Sequence, residues 1–290
     1  MAGAKLKVAL RESQDLAAKL ETLLGSKPKR LREFVHGVVE EIAVGVAPKQ
    51  LVLLVDGLDK FVVPRDRVVA VYRAMADLFF QQAALLRLPA SHVAYVIPPY
   101  LGLLHKGLVQ AYGRLHILPS VEVRERRSLG GGRHEPGLRC LEEVASRRLD
   151  LDALCGAERR QAIDELALAS GGHVRDLFNL LRQVLRKATS LGPPVPLSTV
   201  GLTREALSQD RGGLFRPTLQ LLDEVRRSES LASLDQDRMG AFADAMDEYL
   251  ILGYRNGSQW FDVHPLVEPL LDEGLAALRR LENPGGTGLR

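Results

Sequence analysis

Cysteine is scarce. Cys140 and Cys155 are the only two among 290 residues. Their spacing fits no metal-binding motif, and two thiols are too few for a disulfide framework. A reducing, cytoplasmic setting is the simple expectation. Long hydrophobic runs are missing as well. The longest, Val93 to Leu104, holds two prolines and falls short of the roughly 20 apolar residues that cross a bilayer. The N-terminus lacks a signal-peptide pattern, so no membrane role is expected. Charge of one sign is also weak. Lys and Arg number 39 against 36 Asp and Glu, a net charge of +3. That mild bias does not by itself argue for nucleic acid.

What is present is ordinary for a globular protein: 46% hydrophobic and 26% charged residues. The length allows one large domain or about two to three small ones. The stretch around which the chain is organised runs from Lys49 to Lys60. Leu51 to Val55 are five apolar residues in a row, ending in Asp56. So short a run reads as a strand buried on both faces, as in a parallel sheet. Open α/β sheets bind ligands beyond the carboxyl ends of their strands. Asp56 sits at such an end, with Asp59 about one turn on. Two carboxylates there suit a hydrated Mg²⁺, held through one or two acids plus substrate phosphates. A buried strand followed by an acidic turn is the plainer alternative.

Other elements follow from periodicity. Residues 4–24 read as a helix, with Leu6, Leu10, Leu16, Leu20 and Leu23 largely on one face. A second helix carries Leu31, Phe34, Val35, Val38, Val39, Ile42 and Val46 as its stripe. After a short connection at 61–64, a long helix over 65–87 carries Val68, Val69, Tyr72, Met75, Leu78, Phe79 and Leu86 as its buried stripe. His92 to Ile97 reads as a second buried strand ended by Pro98-Pro99, and 115–123 as containing a third. Strand–helix–strand order implies a parallel crossover. Arg124 to Gly137, with RERR and a glycine run, reads as an exposed loop. It could meet phosphate or an acidic partner, though a solvated loop is the plainer reading.

From 138 to 188 the pattern is helical. Ser170-Gly171-Gly172 reads as a helix C-cap. Arg175 then lies in the first turn of a new helix, beside a flexible glycine pair. Its guanidinium can reach a phosphate there or pair with a nearby acid. Gly192 to Pro196 reads as a linker. Helices near 203–210, 217–227 and 236–248 precede a hairpin signalled by Asn256-Gly257 between two apolar runs. His264 opens the way to a last helix carrying Leu266, Val267, Leu270 and Leu271. A histidine at a helix start can donate to phosphate or serve packing alone.

LVLLVDGLDK resembles the Walker B strand of P-loop NTPases, in the form found in AAA+-related and STAND (signal-transduction) ATPases. The resemblance implies that Asp56 and Asp59 are the catalytic acids, Asp56 holding the Mg²⁺ shell and Asp59 helping to position water. ASGGHVRDLFNLLR resembles the sensor-2 region of the AAA+ helical lid, which would set Arg175 on the γ-phosphate. Helices followed by a hairpin resemble a winged helix. Val263-His264-Pro265-Leu266-Val267 is similar to the Met-His-Asp-type motif of STAND proteins, which would set His264 against the ADP β-phosphate. Pro265 stands in place of that motif's Asp. Gly57 stands where many AAA+ proteins carry Glu, which argues against fast hydrolysis. No sensor 1 is assigned at Ile97-Pro98.

No G-x-x-x-x-G-K-[ST] pattern occurs in the chain, although that loop supplies the phosphate cradle and the Mg²⁺-binding hydroxyl. The expectation is either the C-terminal portion of a longer ATPase or a degenerate member. The fold expected is α/β: a partial parallel-sheet P-loop NTPase core over 1–124, a loop over 125–137, a helical lid over 138–192, a linker over 193–202, a winged helix over 203–282 and a disordered tail over 283–290. The function expected is a nucleotide-dependent switch using ATP or ADP and Mg²⁺, with a protein partner or self-association. The rival is a non-catalytic winged-helix module binding protein or DNA. Nucleic acid is the less favoured partner, because the candidate recognition helix, Asp237 to Glu248, is acidic.

Overall fold

The computed structural model describes residues 28–47, 49–58, 68–104, 107–231 and 238–282. The helix expected over 4–24, the connection at 61–64, Asp59 and the tail over 283–290 lie outside the described residues. The described chain is mostly helical with two small two-stranded sheets. Its contacts divide it into two compact units. One is built from the described residues up to 58, with 74–98 and 107–113. The other comprises 68–73, 99–104 and 114–282.

The first unit contains α1 (Pro28–Val46), β1 (Leu51–Val55), the later part of α2 (Val68–Ala76), α3 (Ala83–Leu86) and β2 (Ser91–Tyr95). β1 and β2 pair in parallel, from Leu51 opposite Ser91 to Val55 opposite Tyr95. The long helix expected over 65–87 is interrupted. A π-helical turn at Asp77–Gln81 joins α2 to α3, and Gln82 N–H bonds the Asp77 carbonyl. Phe79 is buried there. With Tyr95 of β2 and Tyr112, whose helix α5 spans Leu108–Tyr112, it forms an edge-on aromatic cluster over one face of the strands.

The opposite face corrects the expectation of a strand buried on both sides. Val52 is 59% and Leu54 78% exposed, so β1 alternates between covered and open residues. The aromatic cluster covers one face only. The apolar stripe of α1 is likewise open at Phe34, Val38 and Ile42, and among its described side chains only Val39 is buried. Leu78 also faces solvent.

In the second unit, α4 (Pro99–Leu104) brings Tyr100 against Tyr72, with ring centroids 4.3 Å apart. Tyr72 donates its hydroxyl to Asp247 at 2.7 Å. The main core joins α6 (Glu135–Ser146), α7 (Leu151–Cys155), α8 (Arg159–Ala169), α9 (Val174–Leu191) and α10 (Leu197–Gln209). Leu138, Leu141, Ile163, Leu166, Leu177 and Leu180 are fully buried in it, at the helical spacings the sequence carries. Val195, in the segment expected as a linker, is buried in the same core. After α11 (Arg216–Ser228) and α12 (Met239–Asp247), β3 (Ile251–Asn256) and β4 (Ser258–Val263) form the antiparallel hairpin, turning at Gly257 with φ +76°. Last comes α13 (Glu268–Glu282).

One strand expectation is corrected and one loop expectation is refined. No strand forms over 115–122. Pro119 has no N–H to offer a sheet, and the following amides of Ser120 and Val121 bond the carbonyls of Gly253 and Gly172 instead. The basic segment after it is largely exposed, as expected, but two of its arginines are engaged by neighbouring side chains. Arg124 bridges to Arg133. Arg126 donates to Ser258 Oγ at 2.6 Å and lies over the Trp260 ring. Arg127 pairs with Asp262 at 3.1 Å and with Glu268. Asp262 and Glu268 hold the Arg127 guanidinium, and Ser258 with the Trp260 ring holds that of Arg126.

Candidate functional site

The site lies in the second unit, at the N-terminus of α9. The chain reaches it through Gly171 and Gly172, with φ +58° and +80°. Both are buried, so the pair is not a flexible hinge. A Cβ on Gly172 would stand 1.6 Å from the Val121 carbonyl oxygen. Tyr254 donates its hydroxyl to the Gly171 carbonyl at 2.7 Å. This packing fixes where α9 begins, and with it His173, Arg175 and Asp176.

Asp176 is the hub. Its Oδ2 accepts from His173 Nδ1 at 2.9 Å, from His264 Nε2 at 3.0 Å and from Arg211 Nη2 at 2.6 Å. Its Oδ1 accepts from Asn179 at 3.3 Å. His264 is fully buried, and its Nδ1 accepts the Leu266 N–H at 3.1 Å. The proton of the neutral ring is therefore on Nε2. Arg211 also reaches the Glu248 carbonyl. The next residue, Tyr249, stacks on His173 at 4.4 Å and lies under the Arg175 guanidinium at 5.5 Å. Tyr249 is held at φ +54°, in the left-handed region that costs a non-glycine residue about 1–2 kcal/mol.

Burial alone would raise the Asp176 carboxyl. The hydrogen bonds from His173 and His264 and the charge of Arg211 outweigh it and hold Asp176 well below the usual carboxylate range. For His264 burial dominates and lowers the ring's proton affinity. Arg211 and His173 act in the same direction, while Asp176 opposes them.

His173, Asp176 and His264 present ligand atoms within 4.8 Å of one another, a spacing that could suit a metal ion. The donor chemistry argues otherwise. Both histidine nitrogens that face the carboxylate carry protons, and the remaining His264 nitrogen is taken by Leu266. Arg211 already supplies the positive charge at the oxygen a cation would need. Two cations on one buried carboxylate repel strongly. The cluster is an ion-paired hydrogen-bond network that ties α9, the end of α10 and the β4–α13 junction together.

Comparison with known protein families, with curated proteins and with solved structures found no match. The site's chemistry therefore rests on its own geometry.

Of the residues singled out in the sequence, Arg175 and His264 fall in this one neighbourhood: His264 bonds the residue next to Arg175. Arg175 is exposed and paired with an aromatic face, which leaves its charge accessible to solvent. Asp56 belongs to the first unit. It is exposed at the C-terminal end of β1, and its Oδ1 accepts the Gly57 N–H at 2.7 Å. An exposed carboxylate at that strand end is compatible with a water-mediated Mg²⁺ contact. A separate open cleft of about 590 Å³, lined by Val44, Lys49, Leu51 and His92, sits at the opposite, N-terminal ends of the strands. The sequence reading missed His173, Asp176, Arg211 and Tyr249. His173 and Asp176 are three apart at a helix start, a spacing that brings side chains together and could have marked them. Nothing local marks Arg211.

Proposed function

We propose that this chain is the nucleotide-dependent switch module of a STAND/AAA+-like ATPase, with a partial P-loop-type core, a helical lid and a winged helix. The observation that carries the reading is the meeting of two separately chosen residues. His264 is bonded to Asp176, 88 residues away in sequence and adjacent to Arg175. On this reading a phosphate reader on the lid and another beyond the hairpin would share one network. In the arrangement described here, His264 spends its donor on Asp176. An ADP β-phosphate would take that donor in exchange, and Arg175 would leave Tyr249 for a γ-phosphate. A switch requires such differential contacts, because a ligand shifts an equilibrium only by its difference in affinity for the two states. By the same resemblance Asp56, in the first unit, would hold a hydrated Mg²⁺. Gly57 in place of a glutamate fits slow hydrolysis.

The direct test is to denature the purified chain and identify released nucleotide by chromatography, with Asp56→Ala alongside. ADP or ATP from the wild type and none from the variant is expected. Equal release from both would remove Asp56 from the site.

A second reading has its own support. The chain has no G-x-x-x-x-G-K-[ST] pattern, and apolar Val52 and Leu54 stand open on β1. Both fit a non-catalytic module that binds protein through that surface. Absence of nucleotide from the wild type, with concentration-dependent self-association, would favour it.

A further inference from the structure

Three donors converge on Asp176 Oδ2, and the buried ring of His264 is the one whose two nitrogens are both committed. Nε2 must donate, because it faces a carboxylate already engaged by Arg211 and His173. Nδ1 must accept, because it faces a backbone N–H. No second tautomer satisfies both partners, and a second proton satisfies only one of them. We propose that His264 is an acid-sensitive latch: protonation at Nδ1 sets two N–H groups against each other and releases the turn that starts the last helix from α9.

The carbonyl side of the turn is held by the Ser208 hydroxyl, which donates to the Leu266 carbonyl at 2.7 Å, and Leu266 and Val267 are buried; the amide side depends on His264. Leu266 N–H spends its bond on His264 Nδ1, and the next amide, of Val267, bonds the His264 carbonyl at 2.8 Å. His264 N–H in turn reaches the Leu250 carbonyl at 2.9 Å. A protonated Nδ1 thus disturbs a backbone unit that joins β3, β4 and α13. A lost acceptor for a buried amide is unfavourable because no water replaces it.

The charges that face the ring decide the direction. From α9 come Asp176, which favours the imidazolium, and His173, which opposes it. From beyond α10 comes Arg211, which opposes it at 2.6 Å from the shared oxygen. Arg175 is occupied with Tyr249. On the ring's own side, Asp262 and Glu268 are paired with Arg127. One engaged carboxylate is therefore opposed by full burial, the Arg211 charge and the neighbouring His173. The net effect is a ring that resists the proton until the pH falls below the ordinary histidine value, then loses its fit. The latch does not depend on nucleotide binding.

The test uses ¹⁵N-labelled full chain, taken from about pH 7.5 to about pH 4.5, a range that spans the ordinary histidine value. Long-range ¹H–¹⁵N spectra report each ring nitrogen of His264, and hydrogen exchange reports the Leu266 and Val267 amides. The expected result is an unprotonated Nδ1 at the upper end. Its protonation, with a midpoint below the ordinary value, should coincide with an increase of about tenfold or more in exchange at Leu266 beyond the intrinsic pH effect. The increase should be absent in His264→Gln. Two results would overturn the latch: a Leu266 amide that stays protected while Nδ1 takes its proton, or a ring still neutral at the acidic end. If His264→Gln fails to fold, the wild-type coincidence of the two midpoints still decides.

Discussion

The Asp176 carboxylate gathers its partners from α9, the end of α10 and the start of α13, and it is mostly buried. Removing one partner of such a network strands the others. Asp176→Asn is therefore expected to destabilise the fold by about 3 kcal/mol, read as a lower urea midpoint at neutral pH. The pH response has a defined sign. His264 binds its proton less readily in the folded chain than in the unfolded one. Its contribution to stability is complete above the ordinary histidine value, roughly 6.5, and declines as pH falls below it. Asp176 has the depressed value of an engaged acid. Its contribution is present above about 3.9 and lost at still lower pH. Urea midpoints measured across the range should fall in two stages as pH decreases, with His264→Gln removing the upper stage. An unchanged upper stage in that variant would assign it to another histidine. The sequence exposed His264 through its place before a helix. Asp176 showed only its three-residue spacing to His173, and Arg211 was hidden, because a long-range partner leaves no local pattern.

At the level of elements, helical spacing and the Asn-Gly turn were legible, because core faces and tight turns impose local rules. The parallel pairing of β1 with β2 and the hairpin of β3 with β4 both stand in the structure. What periodicity could not reveal was coverage. The stripe of α1 and the Val52–Leu54 face are apolar yet open, since a pattern states which residues would be buried and not what buries them. Nor could it reveal the π turn at Asp77–Gln81 or the acids that dock Arg127. Glycines give the sharpest contrast between elements. Gly172→Ala meets both a positive φ and the Val121 carbonyl, and should cost about 3 kcal/mol. Gly201 lies inside α10 with open space around it. Gly201→Ala should stabilise by about 0.5–1 kcal/mol. Thermal unfolding of the two variants beside the wild type checks both signs; two destabilised variants would mean α10 does not run through Gly201 as described.

On the scale of the whole molecule, the two units differ in how well they bury themselves. The second has a continuous core from α6 to α10 that also takes in Leu266. The first leaves one face of a two-stranded parallel sheet open, although such sheets are usually covered on both sides. An apolar patch of that kind favours association. Leu54→Lys should therefore change folding stability by no more than about 0.5 kcal/mol while reducing self-association in sedimentation experiments. A large loss of stability would instead mean that Leu54 is covered in solution. The central claim, a nucleotide-responsive switch read by Arg175 and His264, belongs to this scale too, because it links α9 to the segment beyond the hairpin. Its most direct test is calorimetric titration of the full chain with Mg·ADP and Mg·ATP, with Arg175→Ala and His264→Gln in parallel. The account predicts binding of both nucleotides, with ATP affinity lowered at least about tenfold by Arg175→Ala and ADP affinity lowered similarly by His264→Gln, about 1.4 kcal/mol each. No heat with the wild type, or affinities unchanged in both folded variants, would contradict it.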